Sequence, residues 1–297
     1  MAYKLATIPY ITGFSVKPTS ISGLGVVTFT DGTNDVRPNQ LQCETYGYTY
    51  DKATGTCTTF RYNANLGRNI NNVNNTIRGS QNTTETGVNN TQIMGERNTV
   101  RSLSRNNLIV GNNNEIASGI SNTTVLATNG EVRTQAEFAI GGGKQSISDS
   151  TDAATYVSRR KTSVIELAGV TIDNTATNLT VQGDGSSYIS VKPNSIIGYD
   201  IYITRLELGG SSGTAGKYSY RNIRGAVQIN QVGLMAFVVG FNRNIASIGV
   251  QGTCIMAATV TGLVNPSISV NVADRNNVHN LWSASVTLHE VVTETVF

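Results

Sequence analysis

The sequence predicts an all-β protein made of an N-terminal β-hairpin region, a short β-solenoid shaft and a C-terminal β-sandwich. Three observations predict this class. Only 14% of the 297 residues are charged, against about 25% in typical soluble proteins, while 30 glycines and many Asn, Thr and Ser residues favour turns and strands. No long segment repeats apolar residues with the 3.6-residue period of a helix. The middle of the chain instead repeats every 16 residues.

The first region, residues 1–62, has the pattern of short strands joined by turns. Residues 25–32 predict a strand and the turn that ends it, and residues 43–50 predict a second strand whose tyrosines alternate onto one face. A turn over 51–55 leads into a partner strand over 56–62, which completes a hairpin. Because the region carries little apolar mass, we expect it to fold against a partner and to serve as an attachment region.

Three cysteines are too few for a disulfide framework. Cys43 and Cys57 flank the predicted hairpin and could pair. The N-terminus has no charged leader followed by an apolar core, so we expect a soluble protein made in a cytoplasm, where reduced and packed thiols are favoured. Zinc is not expected, because no second cysteine pair and no nearby histidine completes a site.

The second region, residues 63–137, contains no Pro, Lys, Cys, His, Asp or aromatic residue and carries the 16-residue repeat. Its copies start at Ile77, Ile93 and Ile109, and a degenerate fourth copy starts at Val125. A second column keeps the same spacing and consists of Thr84, Val100, Ile116 and Val132. Such a period is typical of a β-solenoid. Disorder is the alternative, but a disordered linker does not need apolar residues in register.

Each predicted coil holds two short strands and two corners. Gly79, Gly95 and Gly111 recur at one corner, where a positive φ is expected, and asparagines at equivalent corners should hydrogen-bond along the stack. Stacked strands lie about 4.8 Å apart, so four coils predict a shaft of about 20 Å. The shaft has no Asp, which excludes the calcium-binding type of solenoid repeat.

One coil carries only two or three aliphatic side chains, and this scarcity predicts self-association. Their burial contributes about 1.5–3 kcal/mol each, while ordering each residue of the backbone costs about 1–2 kcal/mol. A lone rod is therefore expected to be unstable. Three rods that share their apolar faces would bury much more surface, so we expect a homotrimer.

Residues 138–152 are rich in Gly, Ser and Asp and predict a hinge. Residues 153–297 then restore aromatic residues and strand alternation, with Trp282 on the apolar face of a last strand and His289 on its polar face. The other predicted strands cover 164–167, 179–182, 188–191, 200–208, 217–230, 257–261 and 268–272. Strands at this spacing indicate a β-sandwich or jelly roll.

This C-terminal half resembles the knob of bacteriophage tail-fibre and head-fibre proteins. The resemblance is carried by 152–160 (DAATYVSRR), 179–181 (LTV), 195–201 (SIIGYDI), 218–225 and 282–292. In that group a Gly/Ser/Asn-rich β-roll shaft, similar to the heads of trimeric bacterial adhesins, precedes the knob. The resemblance implies a homotrimer in the virion, with its N-terminus anchored to capsid or tail proteins and its tip directed toward host-surface glycans. It supplies no catalytic motif.

The residues themselves predict no catalytic, cofactor-binding or metal site. His279 and His289 are expected at the surface, and no nucleophile elbow, phosphate loop or metalloprotease motif is present. The net charge of +3 and the short run Arg159-Arg160-Lys161 do not favour nucleic acid. The most apolar stretch, 232–241, is about half the length needed to cross a bilayer.

Two alternatives to a virion fibre remain. A bacterial trimeric adhesin would need an export signal and an anchor, and neither is predicted. A tailspike-type glycan depolymerase would need paired carboxylates, and the shaft acids are best interpreted as solvated corners. These acids are Glu85, Glu96, Glu115 and Glu131. If the tip binds sugar, candidate aromatic residues are Tyr188, Tyr218, Tyr220 and Trp282, although a core position is favoured for Trp282.

Overall fold

The computed structural model describes residues 16–23, 25–59, 72–148 and 155–293, except for the side chains of 145–148 and 155–157. This part of the chain is nearly all β-structure with one short helix, which confirms the predicted class. The chain divides into two compact units, Met1–Arg68 and Asn69–Phe297. The shaft and the knob therefore belong to the same unit.

The N-terminal unit is a small sheet with one helical turn. Its elements are β1 (Lys17–Ile21), β2 (Val26–Thr30), β3 (Asp35–Val36), α1 (Gln40–Thr45), β4 (Thr49–Asp51) and β5 (Thr56–Thr58). The strands are ordered β1-β2-β5-β4, with β3 also paired to β2. The predicted strand over 25–30 and the hairpin around 51–55 are confirmed. Residues 60–62 of the predicted partner strand lie outside the described residues.

The first half of the strand predicted over 43–50 is instead helical. The side chain of Asn39 accepts a hydrogen bond from the amide of Gln42 at 2.8 Å, and the side chain of Gln42 accepts one from the amide of Asn39 at 2.9 Å. This reciprocal capping box satisfies two amides that a helix start leaves free. The strand prediction was wrong there because local capping outweighed the alternation of tyrosines.

Cys43 and Cys57 form a disulfide, contrary to the expectation of reduced thiols. Their Cα atoms lie 5.7 Å apart and both residues are fully buried. They join α1 to β5 in one buried cluster with Phe29, whose ring packs edge-on against two tyrosine rings. The prediction of reduced thiols was wrong because it was based on the expected cytoplasmic redox conditions. The fold instead brings the two residues within bonding distance. Cys254 is free and buried, as expected.

The second unit begins with the solenoid shaft. Its strands are β6 (Thr76–Arg78), β7 (Thr83–Thr84), β8 (Gln92–Met94), β9 (Thr99–Val100), β10 (Leu108–Asn112), β11 (Glu115–Ile116), β12 (Thr124–Thr128), β13 (Glu131–Val132) and β14 (Phe138–Gly141). Parallel pairing aligns Ile77, Ile93, Ile109 and Val125, and the second column from Thr84 to Val132 is equally in register. Both predicted columns are confirmed.

Each coil also has a third side, which the sequence did not predict. Isolated parallel bridges join Asn89 to Arg105 and Arg105 to Ser121. The coil therefore closes around its own apolar residues, and Ile93, Val100, Ile109 and Ile116 are fully buried within one chain. The expectation that a single rod has no apolar interior was wrong, because the closed coil buries these side chains within one chain. Any association of chains must use the outer surface.

Asparagine ladders run along the stack, as expected. Asn98 is fully buried, and its side-chain oxygen accepts hydrogen bonds from the amide and the side chain of Asn114 at 3.0 and 3.1 Å. Its own side-chain nitrogen donates to the carbonyl of Gly111 at 2.7 Å and to the side chain of Asn82 at 3.0 Å. Such bonds satisfy the polar corner groups that the coil buries.

The glycine corner needs both an unusual backbone and an open space. Gly95 has φ +136, and a Cβ added there would lie 2.0 Å from the carbonyl oxygen of Gly111 in the next coil. A Cβ added at Gly79 would likewise lie 2.0 Å from the carbonyl oxygen of Gly95. The predicted role of this column is therefore confirmed, and close stacking of the backbones adds a second reason for glycine.

The segment predicted as a hinge, 138–152, contains two strands in the part of it that the structure describes. The first is β14, a fifth parallel strand that pairs with β12 on one side and with a knob strand on the other. The knob strands are β15 (Lys144–Ser148), β16 (Thr155–Thr171), β17 (Thr177–Asn178), β18 (Thr180–Val181), β19 (Ile189–Ser190), β20 (Ser195–Gly209), β21 (Tyr218–Ile229), β22 (Met235–Ile248), β23 (Thr253–Val260), β24 (Ser267–Ala273) and β25 (His279–Thr293). Backbone pairing of β14 makes a continuous sheet where the glycines predicted a flexible joint.

Two sheets enclose the knob core, consistent with the predicted sandwich. The large sheet runs β22-β21-β20-β25-β16-β14 and continues into the shaft, while β17, β19, β23 and β24 form the small sheet. Alternation along β20 and β25 places residues such as Ile201, Ile203, Trp282 and Val286 in the core between the sheets. The sequence did not predict β22, which forms one edge of the large sheet.

Candidate functional site

The outer face of the large sheet carries a groove formed by three strands. Cross-strand pairing places Tyr202 beside Asn222, and Asn222 beside Arg243. The neighbouring row pairs Asp200 with Arg224 and Arg224 with Phe241. Antiparallel partners point to the same face, so the six side chains converge. A cavity of about 450 Å³ lies among Tyr202, Asn222, Arg224, Phe241, Arg243 and Ile245.

Hydrogen bonds fix the floor and one wall of this groove. Asn222 is buried, and its side-chain nitrogen donates to the Asp200 carboxylate at 2.5 Å and to the carbonyl of Ile201 at 3.1 Å. Arg224 donates to the hydroxyl of Tyr202 at 3.3 Å and pairs with Asp200 at 3.1 Å. Hydrogen bonding by Tyr202, together with the charge of Asp200, raises the pKa of Arg224.

The groove also presents aromatic rings and a second arginine. Tyr202 stacks on Tyr220 with ring centroids 5.9 Å apart and an interplanar angle of 20°. Phe241 is exposed on the opposite side of the groove. Within the described part of the chain, Arg243 has no hydrogen-bond or ion-pair partner. The groove thus offers apolar ring faces and one free guanidinium, a combination that suits a ligand with C–H faces and a negative group.

The predicted aromatic candidates are only partly brought together. Tyr220 supports the groove by stacking on Tyr202, and Tyr218 lies on the same outer face farther along β21. Trp282 is buried, as favoured from the sequence, and donates from Nε1 to the hydroxyl of Thr171 at 2.9 Å. Tyr188 is half-buried beside β19, away from these three strands.

Sequence reasoning missed Tyr202, Arg224, Phe241 and Arg243. The alternation over 200–208 already placed Tyr202 on one face, together with Leu206. The positions of Phe241 and Arg243 depended on β22, which was not predicted, so the groove was not recognisable.

The two histidines are exposed, as predicted, and both lie in β25. His279 is the first residue of that strand and not part of a loop. His289 lies within hydrogen-bonding distance of the Thr162 hydroxyl, with 3.2 Å between Nδ1 and Oγ1.

The shaft acids are ion-paired to different extents. Arg101 lies between Glu85 and Glu115 and contacts each carboxylate at 2.7 Å. Its hydrogen bond lowers the pKa of Glu85, which is the opposite of what a general acid requires. Glu131 was predicted as a solvated corner, but it is largely buried and pairs with Lys192 at 2.5 Å. The knob folds over that end of the shaft and removes Glu131 from solvent.

Glu131 belongs to a buried charge cluster at the junction of shaft and knob. Lys161 of β16 donates to Glu137 at 2.5 Å and lies 3.6 Å from Glu290 of β25, which also pairs with Arg133. Burial opposes the ionisation of Glu137, but Lys161 and neighbouring donors outweigh it and lower the pKa of this carboxyl. The cluster joins the last shaft coil to the knob sheet by charge-assisted hydrogen bonds.

A second buried cluster lies under the outer face. Arg205 is fully buried, pairs with Asp274 and lies 3.4 Å from Glu207. Glu207 also accepts a hydrogen bond from the amide of Thr214 at 2.5 Å and so holds the loop between β20 and β21. The guanidinium of Arg205 lies over the Trp282 ring, 6.0 Å from its centre. These acids are committed to structural contacts inside the knob.

Among the described residues, no group of three or more His, Cys, Asp or Glu side chains is arranged to hold a metal ion. In the same residues, no helix has the length and apolar character of a membrane span.

Comparison with known proteins gives only remote similarities. No family model matches the sequence, and no curated protein matches it. Among solved structures, the tailspike protein of Acinetobacter baumannii phage AM24 is similar over 75% of this chain and 52% of its own length, at 7% identity and a TM-score of 0.23. The tailspike protein of Acinetobacter phage vB_ApiP_P1 is similar over 75% of this chain and 49% of its own length, at 9% identity and a TM-score of 0.18. This chain spans about half of each tailspike, and at these scores neither similarity supports an argument about function.

Proposed function

We propose that this protein is a structural component of a bacteriophage virion, a trimeric fibre whose N-terminal unit attaches to other virion proteins and whose knob contacts the host surface. The observation that supports this most is the continuity between shaft and knob. β14 pairs with β12 of the shaft and with β16 of the knob, so one sheet joins a repetitive spacer to a terminal module. A shaft that continues into the knob without a flexible linker can hold the knob at a fixed distance from the other end of the shaft.

The junction cluster supports the same role. A protein that carries a mechanical load between two ends needs contacts that resist separation, and the network around Glu137 supplies several buried charged bonds between the last coil and the knob. Replacing one member leaves the remaining buried charges of the network unbalanced. The solenoid and the knob are thereby fastened both by backbone and by side chains.

Host contact is proposed at the groove around Tyr202. Saccharides present C–H faces that pack on aromatic rings, and surface polysaccharides often carry carboxylates that pair with arginine. Tyr202 and Phe241 supply the ring faces, and Arg243 supplies the free guanidinium. We therefore propose an acidic saccharide of the host surface as the ligand.

The virion role is tested by labelling purified virus with gold-conjugated antibodies against the knob. We expect gold at projections on the capsid or tail, and purified protein added before infection should reduce adsorption of the virus. Absence of both label and competition would contradict the virion role. The location of the label also decides between the head and the tail.

The groove is tested by the same competition with variants. Tyr202→Ala and Arg243→Ala should each abolish the reduction in adsorption, because each removes one part of the proposed sugar contact. Gln228→Ala, an exposed position on the same face of β21, is the matched control and should compete like the wild type. Equal competition by all three variants would contradict the groove. Release of reducing sugar ends from the host polysaccharide would instead identify a depolymerase.

A further inference from the structure

The groove around Tyr202 contains two arginines, but only one of them is available to a ligand. Arg243 of β22 lines the groove and has no hydrogen-bond or ion-pair partner among the residues that the structure describes. Arg224 of β21 lines the same groove. Its Nε pairs with the Asp200 carboxylate at 3.1 Å, and its Nη2 donates to the Tyr202 hydroxyl at 3.3 Å. The charge of Arg224 is therefore already compensated within the protein.

Both oxygens of the Asp200 carboxylate are held in place. Oδ2 pairs with Arg224, which strand register places directly opposite Asp200. Oδ1 accepts a hydrogen bond from the side-chain nitrogen of Asn222 at 2.5 Å. Asn222 is only 2% exposed and also donates to the carbonyl of Ile201 at 3.1 Å, so two acceptors fix the orientation of its amide. A ligand that recruits the Nε of Arg224 would have to break a charge-assisted hydrogen bond.

The charges at the groove limit the number of negative charges that a ligand can place there. Arg224 and Asp200 balance each other, and Arg243 adds one positive charge. One guanidinium presents parallel N–H groups that match the two oxygens of one carboxylate. A phosphate monoester carries nearly two negative charges on three acceptor oxygens. Part of that charge would lack a partner beside the fixed carboxylate of Asp200, and an unpaired charge in a partly desolvated site costs free energy.

We propose that Asp200 determines which anion the groove accepts: by occupying Arg224 it restricts the ligand to a sugar acid with one carboxylate and disfavours phosphorylated sugars. This assignment rests on the acidic saccharide of the proposed function and narrows its class. Asp200 acts through Arg224 and not by contact with the ligand. Because Arg224 also holds the Tyr202 hydroxyl, one network sets both the position of the aromatic ring and the charge of the groove.

Two sugars with the same ring provide matched probes. At C6, glucuronate carries a carboxylate and glucose 6-phosphate carries a phosphate ester. Saturation-transfer NMR titrations of the full chain should show that the wild type binds glucuronate about tenfold more tightly than glucose 6-phosphate, since the unmatched charge costs about as much as one charged hydrogen bond. Glucose is the neutral control and should bind more weakly than glucuronate.

Asp200→Asn removes the charge of this side chain and keeps its shape. The amide oxygen can still accept from Asn222, but the negative charge that holds Arg224 is gone. The variant should bind glucose 6-phosphate about tenfold more tightly than the wild type does, so that the preference for glucuronate is lost. Asp173→Asn removes the same charge from the loop after β16 and is the control, which should keep the wild-type preference.

The possible results separate the role of Asp200 from the proposed ligand. An Asp200→Asn variant with the wild-type preference, or with both affinities lowered equally, would overturn the role of Asp200 and leave the acidic saccharide in place. If neither acid binds the wild type more tightly than glucose does, the acidic saccharide is overturned and the role of Asp200 with it. If Asp200→Asn does not fold, the wild-type preference between the two acids decides.

Discussion

The shaft and the knob are parts of one compact unit that are stabilised in different ways. The shaft buries asparagine and threonine beside small aliphatic residues, and it satisfies the polar groups by repeating the same hydrogen bonds from coil to coil. The knob excludes water with a larger apolar core between two sheets and buries its charges in discrete clusters. Hydrogen bonds repeated from coil to coil are therefore sufficient to stabilise a polar interior where the backbone stacks regularly. A β-sandwich needs a larger apolar core.

The largest effect is expected at the glycine corner of the shaft. Gly95→Ala places a Cβ on the carbonyl of Gly111 and forces a non-glycine residue to φ +136. The combined cost of strain and overlap should lower the free energy of unfolding by about 4 kcal/mol. Chemical denaturation of the full chain measures this change.

Gly119→Ala is the matched control for that substitution. Gly119 is also in the shaft and also has a positive φ, +73, but a Cβ there meets no atom within 4 Å. Only the backbone cost of about 1–2 kcal/mol should remain. Equal effects of the two variants would show that close stacking of coils does not limit the shaft.

The junction between the two parts should be the next most sensitive position. Glu137→Gln removes the buried negative charge closest to Lys161 and leaves its ammonium facing Glu290 at 3.6 Å, a carboxylate that Arg133 already shares. We expect the free energy of unfolding to fall by about 3 kcal/mol. Glu96→Gln, at an exposed shaft position, is the control and should change it little. No difference between the two variants would contradict the role of the cluster.

The same cluster predicts a loss of stability in acid. The pKa values of Glu131 and Glu137 are both lowered. Burial opposes the ionisation of both carboxyls. The charges of Arg133 and Lys192 outweigh burial at Glu131, and the charge of Lys161 outweighs it at Glu137. A lowered pKa stabilises the fold above the ordinary value of 4.5, and the contribution is lost as pH falls through the folded-state pKa. Melting temperatures from pH 7 to pH 3 should therefore fall below pH 4.5. Glu137→Gln should show a smaller fall, and an equal fall would contradict this origin.

The sequence predicted the shaft well because its structure follows from a local rule. Ile77, Ile93 and Ile109 share a column because their spacing equals one coil, and this is visible in the sequence alone. The third side of the coil was missed, since single-residue bridges such as that between Asn89 and Arg105 leave no pattern of strand alternation.

The knob was less predictable because its strands pair across long distances in sequence and contain irregularities. In β22, register shifts opposite Tyr220 and Arg224 interrupt the alternation that identifies a strand. The groove could not be predicted, because it depends on the register of that strand. The helix α1 did have a local signal, the Asn39 and Gln42 capping pair, that could have identified it.

The smallest expected effect comes from replacing asparagines of the shaft. A comparison of a buried and an exposed asparagine tests the polar interior directly. Asn98→Ala leaves the buried amide of Asn114 and the carbonyl of Gly111 without these partners, so we expect a loss of about 2 kcal/mol in the free energy of unfolding. Asn112→Ala removes one exposed bond to the amide of Glu96, where water replaces the side chain, and should cost about 0.5 kcal/mol. If both substitutions cost the same, the buried ladder adds nothing beyond an ordinary surface bond, and the shaft must depend on its aliphatic columns alone, as the knob depends on its core.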